Sequence, residues 1–273
     1  MQETTKDERL GSEHLGKLMV SLAVPAVAAQ LINVLYNIVD RIYIGHIQGY
    51  GDMALTGVGV TFPIIMLIAA FSAFAGMGGA PLASIQLGKH DYDRAELILG
   101  NSAGLLVIFS VVLTIAFSIF KTPVLYAFGA SETTIQYAES YIGIYLLGTI
   151  FVQFAVGLNT FISGQGEARI AMLSVLIGAI INICLDPVFI FVFGMGVKGA
   201  ALATIISQAV SAAWVIKFLT SKKSVIRLKA KNMRLKGDVV KHIGGLGISP
   251  FIMQSTESLV NITLNSGLQK YGG

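Results

Sequence analysis

The stretch IAMLSVLIGAIINICLDPVFIFVFG, residues 170–194, is apolar along its whole length except for Asn182, a single charge at Asp186 and a few small polar side chains. A hydrocarbon core about 30 Å thick needs roughly 20 apolar residues in helical form. Outward from this stretch the pattern recurs over about 18–44, 54–85, 96–120, 138–163 and 197–219, and a seventh run begins near His242 and continues to Gly273. Period-two alternation over about ten residues, the mark of a membrane barrel, is absent. The fold class is therefore all-α, a polytopic membrane helical bundle.

Composition agrees. Hydrophobic residues make up 54% of the 273 positions and charged residues 12%, about half the roughly 25% that a water-facing domain carries. That excludes a soluble enzyme, a disordered chain and a disulfide scaffold. The lone Cys184 lies inside an apolar run and has no partner to pair with. Ala26-Val27-Ala28 has the look of a signal-peptidase site. However, the run stays apolar through Val39, and the leader mixes Glu3, Asp7, Glu8 and Glu13 with its bases. The first run is read as an uncleaved helix.

Of 19 Lys and Arg residues, nine fall between Lys217 and Lys241. With the N-terminus inside, fifteen basic residues lie on the inner side, against four (Arg41, Lys121, Lys198, Lys270) outside. The positive-inside rule then makes the N-terminus cytoplasmic, in the cell membrane of a prokaryote. The expected divisions are a cytoplasmic leader over 1–17, a six-helix lobe over 18–219, a basic cytoplasmic linker over 220–241 and a further helix over 242–273. The linker carries no aromatic residues between its bases, so it suits anionic lipid headgroups rather than nucleic acid.

An ionisable side chain inside a membrane helix costs a few kcal/mol on insertion scales and points to a functional site. Asp40 and Asp186 qualify in the six complete runs, and Glu257 lies in the seventh. Gln30, Asn33, Asn37 and Asp40 follow an i, i+3, i+7, i+10 spacing, so one face of the first helix is wet. Asn182 and Asp186 stand four apart on one face of the fifth, and Pro187 removes a backbone donor there, which favours a kink and a hinge. Pro25 is a second candidate bending point. Counting rise per residue places Asp40, Asn182, Asp186 and Thr204 at a similar depth. Gln153 falls near mid-depth of the fourth run and Asn159 in its inner half. The four histidines are scattered near helix ends, so no metal constellation or cofactor site is visible.

At an offset of 224, Gln30, Asn33 and Asn37 meet Gln254, Glu257 and Asn261. Both segments begin inside, the relation of parallel repeats. The chain is accordingly expected to hold a complete first lobe, a linker and the first helix of an incomplete second lobe.

At these residues the sequence resembles the MATE family, the multidrug and toxic compound extrusion transporters, on its MepA-like side. The pieces that carry the resemblance are Asn37-Ile38-Val39-Asp40, Gly164-Gln165-Gly166-Glu167-Ala168-Arg169, and Asn182 through Leu185-Asp186-Pro187 followed by Gly199 to Thr204. The resemblance implies twelve helices in two lobes and export of small organic cations coupled to H⁺ or Na⁺ entry, with no cofactor. It also implies that Asp40, Asn182, Asp186 and Thr204 form a cation site, with Na⁺ a possible ligand of Asp40, Asn182 and Asp186. A fourth-helix amide belongs to that site in some members, here Asn159 or Gln153. Glu257 is similar to an acidic seventh-helix residue of the NorM-like branch. A lipid-linked oligosaccharide flippase would share the architecture but calls for a basic cavity, whereas the buried charge here is acidic. An enzyme would need a His/Asp or Ser/His cluster within the spans, and the sequence offers none.

Overall fold

A computed structural model describes residues 15–271. Most of the expected leader, with Lys6 and Arg9, and the terminal Gly272 and Gly273 lie outside those residues. Among the described residues every regular element is helical: α1 Leu15–Gly45, α2 Gly51–Gly88, α3 Tyr92–Ala127, α4 Ile135–Leu147, α5 Thr149–Gln153, α6 Asn159–Gly164, α7 Ala168–Pro187, α8 Val197–Thr220 and α9 Gly237–Tyr271. Five helices are long and apolar enough to cross a membrane, or six if the fourth run counts as one bent span. In lipid each backbone N–H and C=O must find its partner within the segment, so apolar runs of this length become helices. α9 is as long as the others, but Gln254, Glu257, Asn261 and Asn265 dilute its apolar character, and it is not among the spans that qualify on hydropathy.

The fourth run departs from the single straight helix expected over 138–163. α4 and the segment Thr149–Gly164 meet at 64°. Gly148 stands at the break, where an added Cβ would fall 2.6 Å from Ile205 Cγ1 of α8. Only a residue without a side chain admits Ile205 into that bend. A π-helical turn, Phe154–Leu158, follows before α6. At Pro187 the expected kink takes the form of a second π-helical turn, Val188–Val192, which loosens the backbone where the proline cannot donate. Pro25 is buried inside α1, which runs on through it unbroken.

α2 is the axis of the bundle, packed by α9, α3 and the bent fourth span, while α1 lies along α7 and α7 along α8. Two apolar clusters fill the interior, one around Ile44, Ile64, Ile68 and Ile142, the other around Leu99, Leu106, Phe161 and Leu219. Small residues bring helices together where lipid offers no hydrophobic drive. The α2–α9 contact shows this, since a Cβ on Gly78 would lie 2.9 Å from Gly247 Cα.

The segment between α8 and α9 is basic as expected, but it is a strap tied to the bundle rather than a free linker. Gln165 Oε1 accepts from Ser224 Oγ at 2.9 Å and from the N–H groups of Val225 at 2.9 Å and Ile226 at 3.2 Å. Glu96 pairs with Lys229 and accepts the Arg227 N–H at 3.1 Å. Asn101 donates to the Asn232 carbonyl at 3.0 Å and accepts the Lys236 N–H at 2.7 Å. Gln165, Glu96 and Asn101 are all buried, and each supplies the hydrogen-bond partners that strap backbone otherwise lacks.

Candidate functional site

Four polar side chains from three helices converge in the half of the bundle away from the strap. Asp40 comes from α1, Asn182 and Asp186 from α7, and Thr204 from α8; all four are buried. The i, i+4 spacing sets Asn182 and Asp186 one turn apart, and Asn182 Nδ2 donates to Asp186 Oδ1 at 3.3 Å. The same amide reaches Thr204 Oγ1 at 3.5 Å. Both bonds exceed the usual range of about 2.7–3.2 Å, so the amide holds its acceptors loosely. The Asp40 and Asp186 carboxyls lie within hydrogen-bonding reach of each other.

Among the described residues, five buried side-chain N or O atoms have no hydrogen-bond partner, and three of them are Asp40 Oδ1, Asn182 Oδ1 and Asp186 Oδ2. Buried polar atoms are ordinarily satisfied, because an orphan costs about 1–3 kcal/mol. Three orphans in one node are all acceptors. Two ionised carboxylates can only repel, and acceptor oxygens of this kind are satisfied by protons or cations.

Tyrosines not singled out from the sequence complete the surroundings. The buried Tyr141 sits beside Thr204 and Asp40. Tyr36 lies between Asn37 and Gln208 and within electrostatic range of both aspartates. Gln208 falls one helical turn beyond Thr204 on α8, and Tyr145 one turn beyond Tyr141 on α4, with their rings stacked at 6.2 Å. The i, i+4 register was the available signal, but a tyrosine in an apolar helix is equally at home in a core. Arg41, next to Asp40 in sequence, turns its guanidinium onto the Phe62 ring, 4.5 Å from its centroid.

Other expected site residues go elsewhere. Asn37 Nδ2 donates to Asn33 O at 2.7 Å and Oδ1 at 3.2 Å, which extends the wet face of α1 by one turn, whereas Gln30 is exposed. Gln153 bridges α5 and α2, donating to Ile68 O at 3.2 Å and accepting from Ser72 Oγ at 2.8 Å. Asn159 ties α6 to α7, donating to Ala171 O at 3.2 Å and accepting from Ser174 Oγ at 3.1 Å. Neither fourth-run amide reaches the node. Glu257 is exposed on α9, and Pro25 and Pro187 stand on α1 and α7, the two helices that carry the carboxylates.

Residues 25–188 match the family model for MatE. A multidrug export protein MepA of Staphylococcus haemolyticus (strain JCSC1435) is 27% identical over 98% of this chain and 59% of its own length. Among solved structures, a chain called protein A is 36% identical, with a TM-score of 0.91 over 98% of this chain and 60% of that one. The outward-facing conformation of a multidrug resistance MATE family transporter of the MOP superfamily is 28% identical, with a TM-score of 0.85 over 94% and 57%. The chain thus spans about three fifths of the length of the curated relatives it matches.

Proposed function

The chain belongs to the MatE family, and from that premise we propose that it supplies one lobe of a multidrug exporter that exchanges organic cations for H⁺ or Na⁺. The observation that carries this reading is the set of orphaned acceptor oxygens on Asp40, Asn182 and Asp186. A neutral or cation-bound node is cheaper in a low-dielectric interior than two bare carboxylates. Entry of the coupling ion at Asp40 and Asp186 therefore competes with a cationic drug for the same negative charge. Thr204 and Tyr141 supply further oxygens at the node, and Asn182 links Asp186 to Thr204 through two long hydrogen bonds. α1 and α7 carry both carboxylates, so a change of charge at the node acts on the contact between these two helices. Pro25 and the π-helical turn after Pro187 are the points where each helix yields most easily.

In this reading the strap end faces the cytoplasm, the protein lies in the cell membrane of a prokaryote, and α9 opens a second lobe that completes the transport path. The test is ethidium efflux from vesicles containing the complete transporter, under an imposed Na⁺ gradient or pH gradient separately. Efflux driven by one gradient and lost in both Asp40→Asn and Asp186→Asn supports the antiporter and names its ion. Gradient-driven efflux unchanged in Asp186→Asn would sink its assigned role.

A further inference from the structure

The strap has two faces. Its inner face is fixed by Gln165, Glu96 and Asn101, with Ile226 buried against the apolar cluster that includes Leu99 and Leu219. Its outer face presents Lys222, Lys223, Arg227, Lys231, Arg234 and Lys236, all exposed. No acidic residue occurs between Lys217 and Gly237, and of the strap's bases Lys229 is the one paired with Glu96.

The docking on α3 sets the depth of this face. α3 has 36 residues, about 54 Å at 1.5 Å per residue. That exceeds a hydrocarbon core of about 30 Å by about 24 Å, or about 12 Å at each end when shared equally. On that basis the hydrocarbon boundary falls near Gly100, eight positions after Tyr92. An added Cβ on Gly100 would lie 2.6 Å from the Asn232 carbonyl carbon, and one on Gly104 would lie 3.0 Å from Leu235 Cδ2. Strap residues 232–236 thus run along α3 at the level where the acyl chains end. The same count puts the opposite boundary near Ile119, and Lys121 lies two positions outside it, as a snorkelling cation should.

We propose that the outer face of the strap is a preorganised binding surface for anionic phospholipid headgroups, with Lys231, Arg234 and Lys236 as its phosphate contacts. A cation held at the headgroup level of an anionic leaflet strengthens binding by a factor of about five each. Here the buried anchors have already fixed the backbone that carries the charges, which lowers the ordering cost of binding. The inference rests on membrane embedding and on the strap, and is independent of the ion node.

Phosphatidylglycerol and phosphatidylcholine are titrated separately onto the detergent-purified chain, and bound lipid is counted by native mass spectrometry. The chain as it stands should bind phosphatidylglycerol at least about fivefold more tightly than phosphatidylcholine. Joint replacement Lys231→Gln, Arg234→Gln and Lys236→Gln should abolish that preference, whereas Lys198→Gln at the other end of the bundle should leave it intact. Asn101→Ala keeps every charge but frees the strap, and should reduce the preference partway. Preference retained in the triple variant, or lost equally in Lys198→Gln, overturns the proposal; an undiminished preference in Asn101→Ala overturns its preorganised form.

Discussion

Replacing Gln165 with alanine removes the one oxygen on which Ser224 Oγ and the Val225 and Ile226 N–H groups converge. Gln165 is 5% exposed and Ile226 1%, and Val225 is half-buried, so water has little access to these donors while the strap stays closed. A buried donor left without its partner costs about 1–3 kcal/mol. The strap relieves part of that by lifting away, so two orphaned amides weaken local closure by about 2–4 kcal/mol, within that range per donor. At about 1.4 kcal/mol per factor of ten, the Val225 and Ile226 amides should exchange hydrogen about 30- to 700-fold faster. Hydrogen–deuterium exchange resolved to the peptides spanning 221–236 reads this directly, with α8 peptides as the internal standard. Gln165→Glu keeps an acceptor oxygen and loses the Nε2 donation to Phe161 O at 3.0 Å, so it should show a much smaller change. Exchange at Val225 and Ile226 that does not accelerate in Gln165→Ala would refute the claim that this side chain fastens the strap.

Gly78→Val should separate α2 from α9, because its Cβ would lie 3.0 Å from the Gly247 amide nitrogen; overpacking of this kind costs about 1–3 kcal/mol, read as a lower unfolding midpoint in detergent. Glu96→Gln should lower stability by less than about 1 kcal/mol, since Lys229 is 40% exposed and its pair is screened while the Arg227 N–H keeps an acceptor. Glu96→Leu, which also strips that acceptor, should cost more in the same thermal assay. The Asp238 carboxyl is held below the ordinary carboxylate range, first by its hydrogen bond from Arg94 at 2.8 Å. Its contribution is therefore complete at neutral pH and fades as pH falls through the carboxylate range. Asp238→Asn should flatten the stability profile there and, above neutrality, lower it by a pH-independent amount.

The helical spans were legible in the sequence because a hydrocarbon core demands long apolar runs whatever the tertiary partners. The convergence of Asp40, Asn182, Asp186 and Thr204 was also legible, since turn spacing and depth are local properties that a rise per residue converts into position. The 64° break in the fourth span was not, because Gly148 is one of 30 glycines and only the neighbouring Ile205 side chain distinguishes it. Gln153 and Asn159 show the limit on the polar side. An amide in an apolar helix reads alike whether it serves as glue or ligand, and only the positions of Ile68, Ser72, Ala171 and Ser174 reveal that these two are already bonded. The strap was legible as a charge run, but not its anchors, because Gln165 binds backbone about 60 positions away.

The central claim is that Asp40 and Asp186 share one exchangeable cation. Infrared difference spectroscopy of the membrane-reconstituted protein, recorded on a pH step and on addition of Na⁺, tests it at the carboxyl groups themselves. The account predicts a carboxyl band that changes with H⁺ or Na⁺ in the unaltered protein and disappears in both Asp40→Asn and Asp186→Asn. A band that persists unchanged in either variant, or no carboxyl response to either ion, would contradict it.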